Sequence, residues 1–312
     1  MNNEILIHKK MISLEELDIY DEEKIEQSKF ILRDIIENVV VNDFSFLTTL
    51  YDISLKERKS IDEVYENYHA EVPVRDCIGL SKILKERLED RGISTYFVTC
   101  KASGFSTKYG DDFIREAHTF LLYPCLRDGR VAFVLYDPGF RVMEPMFFYA
   151  GESSFSYPYL NGFIQVRFEN HQYYLYSNVR MKRDFSIVPE SVSFFFQPFM
   201  ETLDMDAFAK NIFRVKFSYK IMNYHKEMDY RYCLGLNVVT KQLDFYTRYY
   251  HEQYLLQEFL GMPLESQLQH LQFLRKDGLF NYQDMIELLE IFKIYSQKNI
   301  PILERKIVKD WK

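Results

Sequence analysis

Three residues that together can form an activated nucleophile follow one another between positions 72 and 145. Cys77 lies in VRDCIGLSKILKERLEDRG, His118 lies in EAHTFLLYP, and Asp137 lies in VAFVLYDPGF. A cysteine thiol is mostly protonated at neutral pH, and an adjacent imidazole activates it by taking up the proton. A carboxylate then orients the imidazole and fixes its tautomer. The order of these residues therefore predicts an enzyme that works through a cysteine nucleophile.

The segment that begins at Cys77 has the pattern of a buried helix over residues 77–90. Asp76 is placed to cap its start, and Gly92 is a natural residue to follow its end. One face carries the apolar positions Cys77, Leu80, Leu84 and Leu88. A helix N-terminus favours a thiolate through the helix dipole, and its N–H groups can supply half of an oxyanion hole.

The other two residues fall on predicted strands. Residues 117–123 and 131–137 are predicted to form a hairpin whose strands are joined across Leu126-Arg127-Asp128-Gly129. His118 has apolar neighbours on its strand, where an imidazole without a partner would be costly. Residues 94–100 are a further strand, and residues 101–112 are predicted to form a loop.

Each of these residues also has a structural interpretation. A single cysteine at a helix start is more often a small buried residue, and a histidine on a strand more often belongs to the core. The shared order of elements favours catalysis, and His69 is the nearest substitute base. None of the other cysteines lies at a predicted helix start. We interpret them as packing residues with reduced thiols in a cytoplasmic protein; they are Cys100, Cys125 and Cys233.

Composition excludes several classes of function. The 312 residues carry a net charge of −7 and no block of Lys or Arg, which argues against a nucleic-acid partner. No apolar run approaches the length of a membrane span, and residues 1–17 lack the features of a secretory signal. Motifs for phosphate loops, dinucleotides, zinc and serine hydrolases are absent from the sequence, so we expect no metal and no permanently bound cofactor.

The remaining chain predicts an α+β protein. We expect a helical N-terminal region at 1–70, the catalytic core at 71–145, a β-rich region at 146–250 and C-terminal helices at 251–312, packed as one unit. Within the β-rich region we predict a hairpin at 163–176, strands at 192–196 and 231–239, and a short helix at 204–213. The C-terminal helices are predicted at 252–260, 265–276 and 282–297.

The catalytic stretch resembles two related families. Arg75-Asp76-Cys77 with Ser81, Ala117-His118-Thr119-Phe120 and Leu135-Tyr136-Asp137-Pro138 resemble the transglutaminase-like pattern. The layout of the whole chain is similar to that of the arylamine N-acetyltransferases, which have a helical N-terminal region, a β-barrel region and a final helical lid. Asp137-Pro138-Gly139-Phe140, followed by Pro145, also resembles a motif of that family.

The resemblance implies a papain/transglutaminase-like core with an antiparallel β-sheet or barrel. It implies a cysteine-dependent acyltransferase that moves an acyl group from a thioester donor, through an acyl-cysteine, to an amine or hydroxyl acceptor. The donor would be acyl-coenzyme A or an acyl-carrier protein, so the partners are a small molecule or an acyl carrier. We expect the pocket to be lined by Gly104, Phe105 and Phe140.

Two other functions stay open from the sequence. The same three residues could serve a transglutaminase-like deamidase, cross-linking enzyme or cysteine protease that acts on amides. A binding module that kept the fold would give Cys77 no special reactivity over the other cysteines. The oligomeric state is open as well.

Overall fold

Two β-sheets and seven α-helices account for most of the ordered elements in the part of the chain that the structure describes. The computed structural model describes residues 4–7, 10–39, 41–42, 44–66, 77–103, 116–181, 187–198, 216–222, 231–237, 240–247, 251–277 and 280–297. The helices are α1 (Glu22–Asn38), α2 (Phe44–Glu57), α3 (Ile61–Glu66), α4 (Cys77–Glu89), α5 (Leu256–Leu260), α6 (Leu264–Leu271) and α7 (Tyr282–Gln297). Short 3₁₀ helices occupy Leu14–Glu16 and Gln272–Asp277.

The first sheet has nine strands and carries the segments of greatest chemical interest. In spatial order its main path is β8 (Met146–Tyr149), β7 (Arg130–Tyr136), β6 (Glu116–Arg127), β5 (Tyr96–Ser103), β14 (Val192–Phe196), β11 (Gln172–Ser177), β10 (Gly162–Glu169) and β9 (Tyr157–Tyr159). Its pairs are antiparallel, except that the short β3 (Asp18–Ile19) runs parallel to β6. The predicted α+β class is therefore confirmed, and the sheet is open rather than closed into a barrel within the described residues.

The second sheet is antiparallel and has five strands. In spatial order they are β18 (His251–Leu255), β17 (Gln242–Thr247), β16 (Arg231–Asn237), β15 (Lys216–Met222) and β4 (Val41–Asn42). Two small hairpins complete the described strands: β1 (Glu4–Ile7) with β2 (Lys10–Ser13), and β12 (Arg180–Met181) with β13 (Ile187–Val188).

Alternation along β6 separates two layers of core. Phe120 and Leu122 face a cluster shared with β7, β8, β10, β11 and β14, whereas Leu121 and Tyr123 face α1 and α4. Successive side chains of a strand point to opposite faces, so the sheet is covered on both sides of this strand. A third cluster joins α2, α3 and α5–α7 to the second sheet. Among the described helices, none has the length and apolar character of a membrane span.

Local signals predicted several elements correctly. The hairpins turn at Asp128-Gly129 and at Asn170-His171, where all four residues have positive φ, as a two-residue turn of the primed type requires. At the start of α3, Ser60 and Glu63 have the sequence spacing of a capping box and form both of its hydrogen bonds. The last predicted helix matches α7 (Tyr282–Gln297), while the helix predicted at 204–213 lies outside the described residues.

Two predictions were wrong. The N-terminal region is not purely helical, because β1 pairs with β2 and the two-residue strands β3 and β4 each join a sheet. The helix predicted at 252–260 begins only at Leu256, because His251–Leu255 pairs with β17 as an edge strand. In both cases pairing with another strand decides the structure: β3 and β4 pair with strands distant in sequence, while β1 and β18 pair with strands next to them in the chain. The pattern of one segment does not contain its pairing partner.

Candidate active site

Cys77 is the first residue of α4, and it is half-buried. The predicted apolar face is confirmed, because Leu80, Leu84 and Leu88 are buried in the cluster between α4 and the first sheet. At the other end, the N–H of Ile93 donates to the carbonyl of Leu88, and Gly92 has a φ of +68°. The C-terminus of α4 is therefore capped, and one face of the helix is packed against the first sheet. Together these contacts hold the helix, and with it Cys77, in place.

His118 lies on β6 beside an irregularity in the strand pairing. The register passes from Cys100 opposite His118 to Lys101 opposite Glu116, so that Ala117 is an extra residue. A bulge of this kind twists the strand and changes the direction of neighbouring side chains, and bulges are frequent next to active sites. The His118 residue is only 5% exposed.

Asp137 follows β7 directly and binds the imidazole of His118 through Nε2. Its Oδ1 and Oδ2 lie 2.9 and 2.8 Å from Nε2 of His118, and the residue is 0% exposed. Oδ1 also accepts a hydrogen bond of 2.8 Å from the backbone N–H of Phe140. A carboxylate can only accept, so Nε2 carries the hydrogen and Nδ1 is left to exchange a proton with a nucleophile.

Gly139 is the point at which the helix start meets the imidazole. A methyl group added to Gly139 would lie 2.7 Å from Cβ of Cys77 and 2.7 Å from Cε1 of His118. Those two atoms are therefore separated by no more than twice this distance. The structure thus brings Cys77, His118 and Asp137 together, although they come from a helix, a strand and a loop.

Aromatic rings enclose the imidazole. The ring centroid of Phe140 lies 4.1 Å from that of His118, and Phe194 lies 6.0 Å from His118 and 4.8 Å from Phe140. Phe140 therefore lies beside His118, and its role as a pocket residue stays a prediction. Gly104 and Phe105 lie outside the described residues, so their role stays a prediction.

Phe194 and Cys100 are neighbours of the site that sequence reasoning did not select. Phe194 comes from β14, on which alternation with Phe196 marks the inward face. Cys100 is fully buried opposite His118. Burial, and then the nearby Asp137 and Cys77, raise the pKa of the Cys100 thiol well above its ordinary value, so this thiol stays protonated at neutral pH.

Solved structures similar to this chain include arylamine N-acetyltransferases. That of M. smegmatis is 12% identical over 85% of this chain and 91% of its own, with a TM-score of 0.47. That of Salmonella typhimurium is 12% identical over 86% and 92%, with a TM-score of 0.47. That of Mycobacterium marinum in complex with CoA is 11% identical over 88% and 94%, with a TM-score of 0.40.

No protein-family model matches the chain, and no curated protein matches it. The similar structures belong to one of the two families that the sequence resembles.

Replacing Gly139 by alanine is expected to disturb the site more than the fold. The new methyl group would collide with Cys77 and His118, because real Cβ atoms do not approach other atoms to 2.7 Å. We expect the rate of Cys77 alkylation near neutral pH to fall about tenfold or more as the two residues separate.

The matched control is Gly235→Ala on β16, where the neighbour that an added methyl group would meet among the described side chains is Cβ of Asp244, at 3.9 Å. Alkylation of Cys77 is measured with peptide mapping in both variants. Equal rates in Gly139→Ala and the wild type would contradict the contact between the helix start and the imidazole.

Proposed function

We propose that the chain is a cysteine-dependent acyltransferase with Cys77 as nucleophile, His118 as base and Asp137 as the residue that orients His118. One observation carries the proposal: Cys77 at the start of α4 and Cε1 of His118 border the same glycine, while buried Asp137 binds Nε2 of His118. This is the arrangement that converts a thiol into a nucleophile and keeps the imidazole in one tautomer.

The reaction has two half-steps. The Cys77 sulfur attacks the carbonyl carbon of a thioester, the carbon–sulfur bond to the donor breaks, and the donor thiol leaves with the proton that Nδ1 of His118 had taken from Cys77. An amine or hydroxyl acceptor then attacks the carbonyl carbon of the acyl-cysteine, and the bond between this carbon and the Cys77 sulfur breaks. Nδ1 takes the acceptor proton and returns it to the Cys77 sulfur as it leaves. The thioester that donates the acyl group would be acyl-coenzyme A or an acyl-carrier protein.

The surroundings of the imidazole support transfer to a bound acceptor over transfer to water. Phe140 and Phe194 flank His118, which is almost completely buried. An acyl-cysteine beside these rings would be sheltered from water, which limits hydrolysis of a reactive intermediate. None of the four cysteines forms a disulfide, which suits a thiol enzyme of a reducing compartment such as the cytoplasm.

The test is to trap the acyl-enzyme. The full chain is incubated with acetyl-coenzyme A and longer acyl-coenzyme A thioesters, and the modified peptide is located by mass spectrometry. We expect one acyl group on Cys77, and release of coenzyme A that accelerates when an aromatic or aliphatic amine is added.

A parallel incubation supplies glutamine-containing peptides in place of the thioester. Ammonia release from these peptides without acylation by thioesters would identify the amide-directed enzyme instead. An absence of acyl groups on Cys77 with every donor would contradict the proposed function.

A further inference from the structure

The loop that carries Gly139 and Phe140 is bound to α1 by hydrogen bonds and ion pairs. This loop, residues 138–145, connects β7 to β8. Arg141 is only 9% exposed, and its Nη1 donates a hydrogen bond of 3.3 Å to the carbonyl of Ile36. Ile36 belongs to the last turn of α1, where carbonyls have no partner within the helix and the dipole is negative. A buried guanidinium therefore matches this helix end in both hydrogen bonding and charge.

The backbone of Arg141 is unusual as well. Its φ is +60°, in the left-handed region that residues other than glycine seldom adopt. Its N–H donates to the carbonyl of Pro138, and the N–H of Val142 donates to the carbonyl of Asp137. A conformation of this kind persists only where the surroundings impose it, and such positions are frequent at functional sites.

Further contacts along the same loop also lead to α1. Nε of Arg33 donates a hydrogen bond of 3.2 Å to the carbonyl of Met143. Glu144 forms ion pairs with Lys29, at 2.6 Å, and with Arg33. Successive turns of α1 thus hold residues 141–144 of the loop. Residues 139 and 140 of the same loop contact Cys77, His118 and Asp137.

We infer that Arg141 is a positioning residue for the site. By fixing a left-handed turn against α1, it places the Phe140 N–H on Asp137 and Gly139 between Cys77 and His118. The inference rests on the proposed function, because its consequence is the reactivity of Cys77. Arg141 itself touches none of the reacting atoms.

The test compares two arginines that share one backbone conformation. Arg141→Asn removes the guanidinium and introduces a residue type that tolerates the left-handed region. Arg58→Asn is the matched control, since Arg58 has a φ of 55° and is exposed at the end of α2. The pH profile of Cys77 alkylation by iodoacetamide is measured for both variants and for the wild type.

We expect Arg141→Asn to slow alkylation near pH 6 by about tenfold and to move the profile towards that of an ordinary thiol. Arg58→Asn should retain the wild-type profile. Arg141→Lys keeps the positive charge and a hydrogen-bond donor, so its profile should fall between those of Arg141→Asn and the wild type. If Arg141→Asn does not fold, the Arg141→Lys profile decides the same question.

The inference is overturned if the alkylation profile of Arg141→Asn overlays that of the wild type while only the melting temperature falls. If Arg141→Asn does not fold, the same result for Arg141→Lys overturns it. Failure of the proposed function gives a different result, because the wild type itself would then show no enhanced alkylation of Cys77.

Discussion

Replacing Cys77 by serine is expected to lower kcat/KM for thioester-dependent acyl transfer by about 1,000-fold or more. A serine hydroxyl does not form a stable ion pair with an imidazole, and the oxygen is a weaker nucleophile than a thiolate. The residue is half-buried at a helix start, and serine is nearly the same size, so the free energy of unfolding should change little. Coenzyme A release and mass spectrometry of the acyl-enzyme measure the effect.

The control for this variant is Cys233→Ser. Cys233 is also half-buried, but it lies on β16 of the second sheet. The activity of Cys233→Ser should stay within about twofold of the wild type, since the substitution is conservative and Cys233 is not one of the three proposed catalytic residues. Activity of Cys77→Ser within tenfold of the wild type would show that the acyl group is transferred by another route.

The Asp137→Asn substitution is expected to lower kcat/KM by about 100-fold to 10,000-fold while the fold is kept. Asp137 accepts from Nε2 of His118 and from the N–H of Phe140. An asparagine has a single acceptor oxygen, and its NH₂ group would face either the imidazole or the Phe140 N–H. The tautomer with hydrogen on Nε2 is then no longer enforced, and the imidazolium formed during attack loses its counter-charge.

Asp244→Asn is a matched control for the loss of a buried carboxylate. Asp244 is 8% exposed, accepts a hydrogen bond of 2.7 Å from Gln253 and lies 3.5 Å from Nε2 of His251. This pair is in the second sheet, so we expect an effect on stability without loss of activity. Equal losses of activity in the two variants would assign Asp137 a purely structural role.

The sequence contained most of the local information about the site. The apolar face of α4 and the hairpin signal at Leu126-Arg127-Asp128-Gly129 were enough to place Cys77 at a helix start, His118 on a strand and Asp137 at the end of the next strand. Both features depend on residues close in sequence, namely the 3.6-residue period and the preference of Asp-Gly for positive φ.

The remaining features depend on contacts between distant segments. The bulge at Ala117 exists only through pairing with β5, and the place of Gly139 between Cys77 and His118 needs the packed loop. The left-handed Arg141 has no local signal, because arginine seldom adopts that conformation and the carbonyl that it binds, that of Ile36, is distant in sequence. The strand at His251–Leu255 also depends on a partner outside its own segment, which is the preceding strand β17.

The pH dependence of thiol alkylation tests the central claim most directly. Wild type and His118→Ala are treated with iodoacetamide from about pH 5 to pH 9, and the label is located by peptide mapping. Cys77 should react rapidly well below pH 7 in the wild type and lose this reactivity in His118→Ala. Cys100, whose pKa burial raises, should react slowly throughout. Labelling of Cys77 at the rate of Cys233, unchanged in His118→Ala, would contradict an activated thiolate and leave a binding protein as the better account.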